Sequence, residues 1–177
     1  MIIQETDRLI LRHFHAFNAQ AMDHVFGDPE VMLYGPGIQT QSWVEDWLRD
    51  CMENYQMLGF GPWAVVERSS SKVIGYAGLF YFPDIDGRPE IEMGYRLARS
   101  YWGQGFATEA VAAIREYAFH VLCFHRLIAL IDPQNTASIR VAEKVGLRYE
   151  KDAMLEGYTH PDHLYSMNIP VANQKLW

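Results

Sequence analysis

Leu97-Ala-Arg-Ser-Tyr-Trp-Gly-Gln-Gly-Phe-Ala-Thr-Glu109 reads as the end of a strand, a glycine-rich loop and the start of a helix. The first amides of a helix have no partner inside it and carry the positive end of its dipole. Gly103 and Gly105 let the backbone come close to an anion, and Ala107 keeps the helix start slim. Loop and helix start together suit a pyrophosphate. Taken alone, the same letters also describe a plain glycine turn, because G-x-G spacings are common by chance. No Gly-Lys-Ser/Thr follows, so the loop is not a P-loop. Thr108 stands where a dinucleotide-binding G-x-G-x-x-G needs its third glycine, which excludes that fingerprint too.

Downstream, Ala107, Ala110, Val111, Ile114, Tyr117 and Ala118 recur at helical spacing, predicting a helix from Gly103 to about Val121. His125 to Ile131 is short and almost wholly apolar, as a buried strand with parallel character would be. Asp132-Pro133 stops it. Asn135 to Val145 predicts a helix closed by Gly146. Leu147 to Ala153 and Leu164 to Pro170 predict the last strands.

Upstream, Arg8 to His13 alternates as a first strand, and Asn18 to Phe26 is a short helix. Ser42-Trp-Val-Glu45 is a capping box opening a helix to about Leu58, which Gly59 and Gly61-Pro62 end. Trp43, Trp47 and Tyr55 on it are expected in the core rather than at a substrate. Trp63–Glu67, Val73–Phe82 and Glu90–Leu97 form a meander, joined by a turn at Ser69–Ser71 and a hairpin-type connection at Pro83–Gly87. The order is β-α-α-β-β-β-α-β-α-β-β. A meander followed by a βαβ unit makes an α/β chain with a mixed sheet, read here as a single domain over residues 1–177.

The bulk numbers fit. A chain of 177 residues can bury a real core. Hydrophobic content of 49% with 21% charged residues excludes disorder. A net charge of −7 opposes nucleic acid as a partner and mildly favours cationic ones. Cys51 and Cys123 form no C-x-x-C pair, sit among apolar residues and read as buried free thiols, in keeping with a reducing compartment. The N-terminus shows no signal peptide, and no apolar run reaches the roughly 20 residues of a membrane span. The expectation is a cytoplasmic protein with no membrane partner, and a homodimer is the default assembly.

Asn135-Thr-Ala-Ser-Ile-Arg-Val-Ala-Glu-Lys-Val-Gly-Leu147 supplies the second motif. Asn135, Ser138 and Ala142 share one helix face. Alone, Asn135 is a good N-cap and Ser138 an ordinary first-turn serine. Together, Gly105-Phe106-Ala107, Asn135-x-x-Ser138 and Gly146-Leu147 resemble the GCN5-related N-acetyltransferases (GNAT). The resemblance is closer to the ribosomal-protein N-terminal acetyltransferase (RimJ/RimL-like) branch. It is carried by Glu5-Thr-Asp-Arg-Leu-Ile-Leu-Arg12, Glu92-Met-Gly-Tyr-Arg-Leu97 and Tyr101-Trp-Gly-Gln-Gly-Phe-Ala-Thr-Glu-Ala110, and covers nearly the whole chain.

The resemblance implies a mostly antiparallel mixed sheet with helices on both faces, acetyl-CoA as co-substrate, an amine acceptor and no metal. It implies that the Tyr95–Leu97 backbone pairs with the pantetheine arm. The amides of Gly103, Gln104, Gly105, Phe106, Ala107 and Thr108 hold the pyrophosphate. Asn135 contacts the pantetheine arm. Apart from the resemblance, the place of Ser138 on the same helix face reads as a further cofactor contact, a hydrogen bond to the sulfur. Two departures stand out: Trp102 replaces a polar residue common in the family, and Ala142 replaces a tyrosine that protonates the leaving thiolate.

An amine at pH 7 is mostly protonated, with pKa values of about 8 for an α-amine and about 10.4 for lysine, so a base must act. Glu92 is the candidate base. Its strand alternates, with Ile91, Met93, Tyr95 and Leu97 facing one way and Glu90, Glu92, Gly94 and Arg96 the other. Gly94 is a candidate bulge that would change this register. Ser138 is the candidate acid, and Tyr165 on the last strand an alternative. His160-Pro-Asp-His163 reads as a polar turn rather than a metal site. Two further readings stand beside the transferase: a non-catalytic acetyl-CoA-binding or sensing module, supported by Trp102 and Ala142, and an acyltransferase using a longer acyl group.

Overall fold

The computed structural model describes residues 1–155 and 157–169. Where one strand is expected over Arg8–His13, the chain forms a hairpin of β1 (Ile2–Glu5) and β2 (Leu9–Arg12), pairing Ile2 with Arg12 and Glu5 with Ile10. Thr6 builds the turn. Its amide donates to the Leu9 carbonyl (2.9 Å) and its hydroxyl accepts the Leu9 amide (2.9 Å). A four-residue edge strand leaves almost no periodic signal, because pairing with its neighbour decides its state.

A short 3₁₀ turn (Ala16–Asn18) leads into α1 (Ala19–Phe26). The next helix, α2 (Gln41–Met57), does not begin at the expected Ser42 box. Thr40 is its N-cap, in extended conformation, accepting the Trp43 amide at 3.3 Å, while Glu45 meets the Gln41 side chain. Both threonine and serine cap well, and the earlier one won.

The meander is β3 (Pro62–Glu67), β4 (Val73–Ile85) and β5 (Arg88–Leu97). Its second connection is tighter than the expected Pro83–Gly87. Ile85 pairs with Arg88 across Asp86-Gly87, both at positive φ, as two-residue hairpins require. Then follow α3 (Phe106–His120), β6 (Arg126–Ile131), α4 (Thr136–Lys144), β7 (Arg148–Ala153) and β8 (Asp162–Asn168). The expected end of the last strand, Pro170, lies outside the described residues. His163 and Asp162 belong to β8 rather than to a turn.

The eight strands make one sheet in the order β1-β2-β3-β4-β5-β6-β8-β7, antiparallel everywhere except between β5 and β6. Helices cover both faces. On one, Tyr76 of β4 packs against Phe26 of α1 and Trp47 of α2, with ring centroids at 5.8 and 5.0 Å. On the other, Trp63 and Ala77, paired across β3 and β4, are fully buried, and Trp63 meets Tyr117 of α3 edge-on at 5.5 Å. Strand alternation sends neighbouring residues into these two half-cores. Tyr55 on α2 is in the core as expected, its hydroxyl donating to the Pro62 carbonyl.

Of the two cysteines, Cys51 is buried but Cys123 is exposed, correcting the expectation for the second. The apolar run Val121-Leu-Cys-Phe124 is where α3 ends, and Cys123 adopts left-handed backbone (φ 57) that turns it outward while Leu122 and Phe124 pack in. No helix among the described residues is long and apolar enough to cross a membrane.

Candidate functional site

The sheet carries a gap at its centre. β5 pairs with β4 along its length, from Gly75–Leu97 to Ile85–Arg88. Its pairing with β6 is confined to Glu92 and Ile128. On one side of that point the strands are clamped: Arg126 of β6 grips both oxygens of Glu90 at 3.0 Å, and Arg88 and Glu150 extend the network. Glu90 is buried, so this pair excludes water and fixes the strand separation. Beyond Glu92 no strand among the described residues covers the Met93–Leu97 edge; the Leu97 carbonyl takes the Trp102 ring N–H, and the rest of that edge is open to a ligand that pairs as a strand does. Tyr95 and Leu97 lie on this edge.

The glycine loop closes the same end. Gly103 (φ 72) and Gly105 (φ 82) are left-handed, and Gly105 is the N-cap of α3. Two such residues cannot continue a helix, so α3 starts at Phe106 and not at Gly103 as expected. The first amide to reach the loop is that of Glu109, donating to the Gly105 carbonyl at 3.0 Å. The amides of Gly103, Gln104, Gly105, Phe106, Ala107 and Thr108 have no acceptor among the described residues. A Cβ at Gly103 would meet nothing within 4 Å, so the space above the loop is open.

Sequence reasoning missed what braces this loop. Arg8 donates to the Gln104 carbonyl (2.9 Å), lies 4.3 Å from the Phe106 ring centroid, and pairs with Glu109 at 2.6 Å. Thr6 donates to the same carboxylate at 2.6 Å. Burial pushes the Glu109 carboxyl up, but the hydrogen bonds from Thr6 and Arg8 outweigh it and hold it below its ordinary value. The signal was present in Glu5-Thr-Asp-Arg8 and Glu109, within two of the quoted stretches, but nothing in the sequence joins them. Gln104 ties its side chain to the Ser100 carbonyl (2.8 Å), and Trp102 donates its ring N–H, its one polar hydrogen on the side chain, to the Leu97 carbonyl (2.8 Å), so the indole has none left for a phosphate.

Asn135 caps α4 by accepting the Ser138 amide at 3.1 Å. The Ser138 hydroxyl shares a hydrogen bond of 3.1 Å with the Tyr95 hydroxyl, so the two candidate segments meet across the gap. Burial raises the Tyr95 phenol, offset in part by Ser138. Ala142 is buried on the same helix. Tyr165 is buried against the Tyr149 ring at 5.9 Å, and burial raises its phenol.

Glu92 stands on the opposite face. Met93 and Leu97 are buried on the α3 side, whereas Arg96 reaches the loop between α1 and α2, donating to the carbonyls of Val31 (2.9 Å) and Tyr34 (3.2 Å). Gly94 does not form the expected bulge. The β4–β5 register runs unbroken from Leu97 to Glu90, and the glycine is needed because a Cβ would lie 2.9 Å from the Phe80 ring. The Glu92 carboxylate accepts the Leu130 amide at 3.2 Å. Burial raises its pKa to about 7. The Leu130 amide and Arg96 oppose that rise, and Asp162 adds to it. A carboxyl poised near neutral pH is suited to accept a proton.

The two histidines of His160-Pro-Asp-His163 part company. His160 lies 3.4 Å from Asp132, and His163 lies 3.6 Å from Asp152.

Comparison with known proteins agrees with this geometry. Residues 8–148 match the family model described as an acetyltransferase (GNAT) domain. The Bacillus subtilis protein YkkB is 35% identical over 82% of this chain and 85% of its own length. The uncharacterized N-acetyltransferase p20 of Bacillus licheniformis is 32% identical over 86% of this chain and 85% of its own. A GNAT-family acetyltransferase structure from Bacillus anthracis superposes with a TM-score of 0.80 at 27% identity, covering 95% of this chain and 98% of that one. At the level of the fold alone, similar structures include the ribosomal L7/L12 α-N-protein acetyltransferase RimL (TM-score 0.79, 18% identity, 96% and 94% covered). They also include the acetyltransferase MccE in complex with acetyl-CoA and AMP (TM-score 0.76, 16% identity, 93% and 94% covered).

Proposed function

The chain belongs to the GNAT acetyltransferase family and is an N-acetyltransferase, and from that premise we propose that it moves the acetyl group of acetyl-CoA to a primary amine by direct attack on the thioester. The carrying observation is the gap between β5 and β6, with Glu92 at its apex and unpaired amides at Gly103–Thr108 along its rim. Phosphate oxygens are accepted by amides of this kind, and the α3 dipole adds to the attraction. The pantetheine arm lies along the Tyr95–Leu97 edge, with Asn135 and Ser138 across from it.

In this reading Glu92 takes the proton from the ammonium. A pKa of about 7 keeps a large fraction ionised near neutral pH, while leaving it basic enough to accept one. Backbone amides at the end of β5 stabilise the oxyanion formed on attack. Ser138 gives a proton to the departing thiolate and regains one, through water, from the acylated nitrogen, which must lose its second proton; Tyr95, hydrogen-bonded to Ser138, holds its hydroxyl in place. A thiol of pKa near 8.5 needs only modest help to leave, which accommodates the alanine at position 142. No step needs a metal.

Thiol release from acetyl-CoA across a panel of primary amines, alongside calorimetric titration with acetyl-CoA, tests the proposal. Amine-dependent thiol release supports it. Binding without release for every amine refutes the transfer. Equal rates with succinyl-CoA refute the choice of donor.

A further inference from the structure

Glu92 has acidic company that the transfer reaction leaves unused. The sheet register carries its face across the gap. Glu92 stands opposite Ile128, Ile128 opposite Ser166, and Leu130 opposite Leu164. Alternation then puts Asp162, two residues before Leu164, on the face that Glu92 occupies. Asp132, two residues beyond Leu130, follows at the end of β6.

Asp162 is only 7% exposed, yet its carboxylate has no hydrogen-bond or ion-pair partner among the described residues. One oxygen of Asp162, one of Asp132 and one ring nitrogen of His160 lie within 4.8 Å of one another. Asp132 is itself engaged, accepting the Gln134 amide at 2.7 Å and facing His160 at 3.4 Å. Burial raises the Asp162 carboxyl, Asp132 raises it further, and His160 and His163 pull it down. Burial likewise raises the Tyr158 phenol, and Asp162 and Glu92 both add to that rise. A buried carboxylate without a partner is costly, and a bound cation would remove that cost.

We propose that Asp162, together with Asp132, is a subsite for a second ammonium group of the acceptor, which makes the preferred acceptor an aliphatic diamine-like dication. This rests on the reading of Glu92 as the group that meets the reacting amine. One ammonium faces Glu92 and loses its proton. The other keeps its charge against Asp162 and fixes the acceptor's orientation. The net charge of −7 assists the approach of such a ligand at low ionic strength.

The test is calorimetric titration of the full chain with 1,4-diaminobutane and with n-butylamine at low ionic strength, each with and without acetyl-CoA. The diamine is expected to bind at least about tenfold more tightly, a difference lost in Asp162→Asn with acetyl-CoA affinity unchanged. Asp132→Asn is expected to lose part of it and carries the test if the first variant fails to fold. Equal binding of the two amines, an Asp162→Asn variant that keeps the preference, or Mn²⁺ taking the site ahead of the diamine overturns the proposal. The titration needs no turnover. A chain that prefers the diamine but acetylates no amine refutes the transfer alone, and one that acetylates both amines without preference refutes the subsite alone.

Discussion

Glu92→Gln should damage catalysis and strengthen the fold in the same protein, and the second effect has a pH signature. Burial raises the Glu92 carboxyl from 4.5 to about 7. The folded chain therefore favours the protonated form by about 3 kcal/mol, at about 1.36 kcal/mol for each pH unit. The sign follows from linkage. A carboxyl whose folded pKa is raised contributes stability that is fully present below its unfolded value and lost as pH rises through the folded value. The penalty of ionised Glu92 is thus complete above pH 7. Glutamine keeps the shape and an oxygen for the Leu130 amide but carries no charge. At pH 8 the variant should gain about 3 kcal/mol, or roughly 6–12 °C in melting temperature for a chain of this size. At pH 5 the gain should shrink to about 1 kcal/mol. Turnover with the best amine should fall about 10²–10⁴-fold, the range for a lost general base. Scanning calorimetry at the two pH values and a steady-state thiol assay check both. A melting gain that is the same at pH 5 and pH 8, or turnover within a factor of about three of the parent, refutes the reasoning.

Ser138→Ala should lower kcat more than it raises the KM for acetyl-CoA, and Tyr95→Phe should do the same more weakly; unchanged turnover in steady-state kinetics removes either residue from thiol departure. Gly105→Ala forces a side chain onto φ 82 and should cost about 1–2 kcal/mol by chemical denaturation while weakening acetyl-CoA binding in a titration. Arg126→Met leaves buried Glu90 with only Arg88 and should cost about 3 kcal/mol in urea melts, the scale of a broken buried pair.

Much of the fold was legible because its elements announce themselves locally. The periodicity of α3, the glycine after α4 and the apolar run of β6 each report a state that neighbours only reinforce. The misses share one cause. β1, the Thr40 cap and the outward turn of Cys123 depend on which of two adequate local choices the rest of the chain rewards. At the site, the letters of Gly103–Thr108 and Asn135–Ser138 placed the loop and the cap. The Arg8–Glu109 brace and the Tyr95–Ser138 contact join residues far apart in sequence, and a single sequence carries no record of such pairs. Asp162 was hidden for another reason: within His160-Pro-Asp-His163 it looks like a turn residue, and only the β6–β8 register puts it beside Glu92's face.

The gap itself is an absence, a pairing that β5 and β6 do not make, and it has a physical cause. The Glu90–Arg126 clamp holds the strands together up to Glu92, and beyond it the Leu130 amide donates to the Glu92 carboxylate rather than to a β5 carbonyl. In the proposed mechanism that divergence lets the sheet hold a base and an acid apart. Glu92 faces α1, α2 and the cluster with Asp162, while Tyr95 and Ser138 lie on the face of α3 and α4. An unbroken sheet would keep the two sides from ever sharing a substrate. With the strands parted at one point, an acceptor can give up its proton on the acidic face while the thiol takes one from the other. The two proton transfers can then be perturbed independently. Glu92→Gln and Ser138→Ala should act close to additively in log kcat, because the groups meet only through the bond that passes between them.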